Sequence, residues 1–211
     1  MFSLFRQGGW VMYPLLAFSI VSIAVILERS IFYLSSRARP VERVVDELAA
    51  LYKECGDWKT AAKRFAENKK RVYFLPIITV YFDAFDETPQ RTGERLFAQA
   101  KEIVMVNERR LPILSSIAAA APLFGLFGTV LGMIEVFQRL AALGGRADVA
   151  LLSGGIWVAL LTTAFSLLIA IPSLLAHHYF SRLAGGRSDY MELLISYLNT
   201  LTGKADTEQR A

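Results

Sequence analysis

Charged residues are absent from three long stretches of this 211-residue chain: no Asp, Glu, Lys or Arg occurs in 7–27, 111–134 or 149–181. Each stretch exceeds the roughly 18 uncharged residues that indicate a membrane-spanning helix. The whole chain is 54% hydrophobic and 20% charged, which excludes an intrinsically disordered protein and disfavours a single soluble globule. The sequence therefore predicts an all-α membrane protein with three transmembrane helices embedded in a lipid bilayer.

Cysteine and histidine are also scarce. Cys55 is the only cysteine, so no disulfide can form within one chain, as fits a reducing compartment. The two histidines, His177 and His178, are neighbours and would point to different faces of a helix, which suits interfacial anchoring better than joint metal binding. We find no catalytic constellation. The sequence therefore predicts neither an enzyme, nor a metal site, nor a cofactor.

The net charge of +4 is too small and too scattered to indicate a nucleic-acid partner. The bases near the predicted spans are instead divided unequally, and such a bias sets orientation because positive residues collect on the cytoplasmic side. It predicts a periplasmic N-terminus, with the main loop and the C-terminus in the cytoplasm. The inner side has Arg29, Arg37, Arg39, Arg43, Lys101, Arg109, Arg110, Arg182 and Arg187, and the outer side has Arg6, Arg139 and Arg146.

The spans divide the chain into four parts. We predict a first transmembrane helix in 1–36, a cytoplasmic helical loop in 37–110, two transmembrane helices in 111–181 with a short periplasmic turn at 135–148, and a C-terminal helix and tail in 182–211. Amphipathic helices are expected at 41–55, 61–69 and 94–110. No glycine interrupts the passage into the second span, but Pro112 lies close to the membrane entry. The sequence therefore predicts one long helix over 91–137 with a slight kink, roughly 70 Å in length. The apolar segment 72–85 would pack in the loop's own core or against a neighbouring subunit.

Small and hydroxyl residues recur at steps of three and four along the second and third spans, which places each set on one helical face. On the second span they are Ala118, Pro122, Gly125, Thr129 and Gly132, and on the third Ala159, Thr163, Ser166, Ala170, Ser173 and His177. One interpretation is close helix packing, which small residues permit. The other is a narrow hydrated pathway in which Thr129, Thr163 and Ser166 offer hydroxyls to an ion.

No span contains an acidic residue, and hydroxyls have no useful pKa with which to hold and release a proton. A proton pathway would therefore need a carboxylate from a partner. Glu135, just beyond the second uncharged stretch, could attract cations at a pore mouth. A competing hypothesis is a non-conducting membrane scaffold that merely assembles a partner protein.

Several motifs resemble those of the ExbB/TolQ/MotA proton-channel family, over essentially the whole chain. They are Gly8-Gly9-Trp10-Val11-Met12-Tyr13-Pro14, Leu27-Glu28-Arg29, Ala121-Pro122-Leu123-Phe124-Gly125-Leu126-Phe127-Gly128-Thr129-Val130-Leu131-Gly132-Met133, the segment from Gly154-Gly155-Ile156 to Ala159-Leu160-Leu161-Thr162-Thr163-Ala164, and Ala170-Ile171-Pro172-Ser173. Three spans and the loop sizes are most similar to the ExbB/TolQ branch.

The resemblance implies a homopentamer in the bacterial inner membrane, with long helical cytoplasmic extensions. It would surround an ExbD/TolR-like partner, a single-span protein whose membrane Asp carries the proton. The complex would use proton motive force for mechanical work in the cell envelope. Thr129 and Thr163 match the family's pore-facing threonines, and Gly125, Gly132, Pro122, Ala159 and Ser166 would line the same pore. The sequence departs from the family pattern at Val158, where a Glu is usual, and at Ser166, where a Gly is common.

Overall fold

The computed structural model describes residues 9–35, 40–68, 72–142 and 149–209, and the regular elements in these ranges are all helices. There are seven: α1 (Met12–Ser35), α2 (Val41–Cys55), α3 (Trp58–Asn68), α4 (Leu75–Asp83), α5 (Pro89–Glu108), α6 (Leu111–Ala142) and α7 (Val149–Gln209). The predicted class and the order of the amphipathic helices are therefore confirmed. Of the outer turn predicted at 135–148, the first eight positions belong to α6, and 143–148 lie outside the described residues.

Three parts of the described chain are long and apolar enough to cross a membrane: α1, the segment containing α6, and α7. Only 22%, 22% and 33% of their most apolar windows are buried within the single chain. The remaining apolar surface would be costly in water and is suited to lipid or to other membrane helices. The chain is an all-α membrane protein.

The helix leading into the second span is broken rather than slightly kinked, so the prediction of one helix over 91–137 is wrong, although the irregularity does lie next to Pro112. α5 ends at Glu108, Arg109 is extended with ψ 131°, and Arg110 adopts a left-handed conformation with φ 71°. Pro112 explains the position of the break, because it has no N–H for the carbonyl of residue 108, four residues earlier. Within the first turn of α6 the same proline costs little, since N–H groups there have no intrahelical partner.

The chain divides into two compact units. The membrane unit comprises Met1–Arg29 and Arg110–Phe180, and the loop unit comprises Ser30–Arg109 and Ser181–Ala211. The membrane unit has a small apolar core, formed by Val11, Met12, Leu15, Ala121 and Ala170. Arg29 is almost fully buried, and its guanidinium donates to both carboxylate oxygens of Glu28 at 2.7 and 2.8 Å.

The loop unit has a larger core built from α2, α3, α4, α5 and the C-terminal part of α7. Its central aromatic rings are stacked, with 3.9 Å between the centroids of Tyr52 and Trp58 and 5.3 Å between those of Trp58 and Phe82. The segment predicted at 72–85 supplies Phe74, Ile77, Ile78 and Phe82 to this core. Of the two environments expected for the segment, the loop's own core is therefore the one observed within the chain.

Candidate functional site

Glycines bring α6 and α7 together along their small-residue faces. A Cβ atom on residue 125 would overlap the Ser166 side chain, and one on residue 128 would lie 2.5 Å from the Thr162 Oγ1. A Cβ on residue 132 would lie 3.0 Å from the Cβ of Ala159, closer than ordinary van der Waals contact. The two helices therefore approach closely over at least two turns.

Hydroxyl groups bridge this contact. The Thr163 Oγ1 donates to the Gly125 carbonyl at 3.2 Å, so it joins the two helices directly. The Ser166 Oγ donates to the Thr163 carbonyl at 2.9 Å within α7. Thr162, which lies outside the predicted small-residue face, is buried and donates to the Ala159 carbonyl at 2.8 Å.

Thr129 lies on the same face of α6, one turn from Gly125 and one from Gly132. Its Oγ1 donates to the Leu126 carbonyl at 2.7 Å within its own helix. Both Thr129 and Thr163 are half-buried in the single chain, so part of each side chain is available to another molecule. We call these two residues the threonine pair.

The predicted pore-lining residues thus fall into two groups. Gly125, Ala159 and Ser166 are buried between α6 and α7 in the single chain, where they allow the helices to pack closely. Thr129, Thr163, Pro122 and Gly132 keep part of their surface. Close packing is observed for the first group within the single chain, and a pore lining stays a prediction for both groups.

A cavity of about 200 Å³ lies where the contact between α6 and α7 ends. Its lining includes Glu135 and Arg139, which form an ion pair one helical turn apart. Val158, the position at which the family pattern usually has a Glu, lines the same cavity, as does Gly155. A Cβ on residue 155 would overlap a methyl group of Val136, so a larger residue there would have to displace the Val136 side chain.

The structure also contains a contact of the first span that the sequence did not indicate. The Ser22 Oγ and Ser173 Oγ are 2.6 Å apart and both residues are buried. Because the Ser173 hydroxyl also contacts the Ile169 carbonyl at 2.7 Å, and a carbonyl can only accept, Ser22 is the donor to Ser173. The only sequence feature that could indicate this contact is the presence of Ser22 inside the apolar stretch 7–27.

His177 is placed by a hydrogen bond. Its Nδ1 lies 3.1 Å from the Leu111 carbonyl at the start of α6, so Nδ1 carries the proton and donates. His178 is exposed. Within the described ranges, no group of three or more His, Cys, Asp or Glu side chains could hold a metal ion.

In the loop unit, Arg187 is the main feature that the sequence does not indicate, because a single arginine outside the spans is recognisable only as an inner-side charge. It is 8% exposed, and its guanidinium donates to the Asn107 Oδ1 at 2.9 Å. Its Cζ lies 4.4 Å from the ring centroid of Tyr33 and 4.6 Å from that of Tyr73. Tyr33 in turn donates its hydroxyl to the Asn107 carbonyl at 3.1 Å, one of the last carbonyls of α5.

The sequence is similar to known proteins over most of its length. Residues 61–193 match the model of the MotA/TolQ/ExbB proton channel family. The chain is 30% identical to the Tol-Pal system protein TolQ of Haemophilus influenzae over 201 residues, covering 90% of this chain and 87% of that protein. It is 28% identical to the biopolymer transport protein exbB1 of Vibrio cholerae over 195 residues, covering 92% and 85%.

The match extends beyond these bacteria, because an ExbB homolog of Methanothermobacter thermautotrophicus is 30% identical over 202 residues, covering 93% of this chain and 68% of that protein. The family model includes α6, most of α7 and most of the loop unit. With its three apolar helices, the chain is a membrane protein of the energy-coupling channel class. It belongs to the MotA/TolQ/ExbB proton channel family, with the ExbB and TolQ proteins among its relatives.

Proposed function

We propose that the chain is the channel subunit, or stator, of an ion-driven motor that couples proton motive force to mechanical work in the cell envelope. Five copies would surround the single transmembrane helices of an ExbD/TolR-like partner, whose membrane Asp carries the proton. The partner's Asp would be neutralised by protonation, cross the apolar part of the ring, and release its proton along the level of the threonine pair.

One observation carries this proposal: the two helices present half-buried hydroxyls at Thr129 and Thr163, yet no acidic residue occurs anywhere in 111–134 or 149–181. Hydroxyls can accept and donate hydrogen bonds along a pathway but cannot store a proton near neutral pH. A channel built from them requires a carboxylate from another chain. The names of the ExbB and TolQ relatives support a partner of the ExbD/TolR type.

Glu135 would act at the mouth of this pathway. It follows Gly132 on the same face of α6 and lines the cavity at the end of the helix contact. Its ion pair with Arg139 gives the mouth one charge of each sign. Under the proposed orientation this mouth is periplasmic, where protons enter.

The orientation can be tested with a thiol. In a Cys55→Ser background, a Trp10→Cys variant should react with a membrane-impermeant maleimide added to intact spheroplasts. Native Cys55 should react only after the membrane is opened. The opposite pattern would reverse the proposed orientation.

The decisive experiment measures proton uptake by vesicles that contain the purified complex with its partner. Thr163→Val should abolish proton flux while the partner still copurifies, and Thr163→Ser should retain flux because it keeps the hydroxyl. Flux that survives loss of both threonines would refute the pathway. Replacing Na⁺ by choline at constant pH would show which ion is carried.

The scaffold alternative has one observation in its favour, which is the close packing of α6 and α7 at Gly128 and Gly132. It expects the reverse result. Loss of the threonines would then be harmless, whereas Gly128→Val or Gly132→Val would prevent the partner from copurifying.

A further inference from the structure

Two neighbouring histidines, His177 and His178, are the only side chains in 111–134 and 149–181 that bind a proton near neutral pH. The other polar side chains of these stretches are hydroxyls and one indole, which hold their protons at such pH. Under the proposed orientation, both histidines lie at the cytoplasmic end of the third span. The chain itself therefore offers a proton-binding group at the end of the pathway where protons leave.

His177 shares a face of α7 with Thr163. It follows Thr163 by 14 positions, close to four helical turns, and so lies roughly 21 Å further along the helix. Between these two residues, Ser166 and Ser173 are fully buried and donate their hydroxyl protons to carbonyls of α7. His177 is therefore the first group beyond Thr163 on this face that can take up a proton.

A hydrogen bond decides which ring nitrogen of His177 exchanges its proton. The Nδ1 lies 3.1 Å from the Leu111 carbonyl, which can only accept, so Nδ1 keeps its proton in the neutral and in the charged ring alike. Within the described ranges, no other group of the chain forms a hydrogen bond or an ion pair with His177, and its side chain is half-buried. Nε2 therefore keeps its lone pair for a proton.

We propose that His177 is the proton acceptor at the inner end of the pathway and releases the proton to the cytoplasm through Nε2. This inference rests on the proposed function. In the uptake step, the Nε2 lone pair binds a proton that has passed along the pathway, and the ring becomes an imidazolium. In the release step, the same N–H bond breaks, the proton passes to a water molecule, and the lone pair returns to Nε2. The bond from Nδ1 to Leu111 is unchanged throughout.

The charged groups of the membrane unit at this end belong to α1 and to the residue before α6. They are Glu28, Arg29 and Arg110, and the Glu28 carboxylate lies 2.7 Å from the Arg29 guanidinium and 3.4 Å from that of Arg110. This one carboxylate is thus already held by two guanidinium groups. An imidazolium without a carboxylate partner releases its proton more readily than one in an ion pair, as a group at a proton exit must.

Two further titratable side chains follow on α7 itself. His178 and Tyr179 are both exposed, and the helical period turns them by about 100° and 200° from the face of His177. The centroids of the two imidazole rings are 5.6 Å apart. His178 therefore has the same chemistry at the same depth but on another face of the helix, which makes it the matched control for His177.

The test measures proton flux in vesicles that contain the complex with its partner. The pH on the cytoplasmic face is varied between about 5 and 8, where imidazoles titrate, and a K⁺ diffusion potential keeps the driving force constant. Wild-type flux should fall as this pH decreases, because a protonated Nε2 cannot accept another proton. His177→Asn keeps an N–H for the Leu111 carbonyl but has no base. Its flux should be roughly a hundredfold lower and should lose this pH step.

His178→Asn should keep both the flux and the pH step. A uniform loss of flux in His177→Asn, with the step retained, would indicate a structural role and overturn the proposal. A step that disappears in His178→Asn instead would also overturn it. If wild-type vesicles show no flux, the proposed function fails and this inference fails with it. Normal wild-type flux without a step that depends on His177 refutes the inference alone.

A second measurement does not depend on flux. Nitrogen NMR spectra of the complex labelled at histidine report the protonation state of each ring nitrogen, and the His177 signals are identified by their loss in His177→Asn. Nδ1 should stay protonated between about pH 5 and 8 while Nε2 titrates. A neutral His177 ring that carries its proton on Nε2 would overturn the proposal, since no lone pair would then be left on that atom.

Discussion

Gly125 and Ser166 face each other across α6 and α7, so closely that a Cβ on residue 125 would overlap the serine side chain. The serine cannot easily move away, because it is fully buried and its hydroxyl is held by the Thr163 carbonyl at 2.9 Å. The contact sets the separation of the two helices at the level where Thr163 reaches the Gly125 carbonyl.

Gly125→Ala should therefore reduce the free energy of unfolding by about 1–3 kcal/mol, the usual cost of overpacking a tight contact. Thermal unfolding of the purified protein in detergent would measure the change. Gly154→Ala is the matched control, because no atom lies within 4 Å of its added Cβ. Adding Ser166→Gly should restore part of the loss. Equal effects of the 125 and 154 substitutions would contradict the contact.

The hydrogen bond from Ser22 to Ser173 leads to a second prediction. Ser22→Ala should destabilise the membrane unit by about 0.6 kcal/mol, the average for hydrogen bonds between membrane helices. Ser19→Ala, three residues earlier on α1, serves as the control. A double-mutant cycle with Ser173→Ala should give a coupling energy of similar size, and additive effects would argue against a direct bond.

Arg187 allows a third prediction in the loop unit. Arg187→Met should reduce the free energy of unfolding by about 2 kcal/mol, because it removes the bond to Asn107 and the contacts with the rings of Tyr33 and Tyr73. Arg187→Lys should recover only part of this, since an ammonium group lacks the planar surface that stacks on the rings. The rate of limited proteolysis of the full chain would report the change.

The control for this series is Arg182→Met, which removes an exposed guanidinium from the same helix. It should leave proteolysis unchanged. If Arg187→Lys is digested at the wild-type rate, the positive charge alone would account for the stabilisation by Arg187, and the ring contacts would contribute nothing to it.

Tyr73 makes the loop unit sensitive to alkaline pH. Burial raises the pKa of Tyr73 from 10.0 to about 12, although the positive charge of Arg187 acts in the opposite direction. As the pH rises, the Tyr73 phenol ionises in the unfolded chain before it does so in the folded chain. The contribution of Tyr73 burial to the free energy of unfolding is therefore fully present below pH 10.0 and is lost as the pH rises toward about 12.

Ultraviolet titration of tyrosinate should therefore show a late phase that disappears in Tyr73→Phe. Protein unfolded in denaturant is the reference for this measurement, since burial no longer acts there. Arg187→Met should move the late phase to still higher pH, because the favourable charge next to the phenolate is gone. A shift to lower pH would show that the guanidinium does not stabilise the phenolate.

The three spans could be predicted because the absence of charge over 20 or more residues is a local property that needs no partner to interpret. The α2 helix was predicted at its observed bounds for a similar reason, since its apolar residues repeat with the helical period. Near Pro112 the sequence predicts a kink but not a full break of the helix. A proline does not by itself distinguish the two, because Pro122 and Pro172 lie inside the continuous helices α6 and α7.

The candidate site could be predicted only as two separate faces. Helical periodicity placed Gly125 and Ser166 each on a face of small residues, but it contains no information on which residue of α6 meets which residue of α7. The Ser22 and Arg187 contacts were missed for the same reason. They join residues that are 151 and 80 positions apart in the chain, and no local pattern connects such positions.

The break between α5 and α6 also affects how the chain tolerates changes in length. In a continuous helix, one inserted residue rotates everything beyond it by about 100° and advances it by about 1.5 Å. An insertion within α7 near Arg182 would therefore turn the core residues that follow, including Met191 and Leu194, out of the core that they share with α2–α5. At Arg109 and Arg110 the backbone is already non-helical, so an added residue can be absorbed by a change of dihedral angles. The face of α6 that carries Thr129 is thus independent of the length of the helix before it.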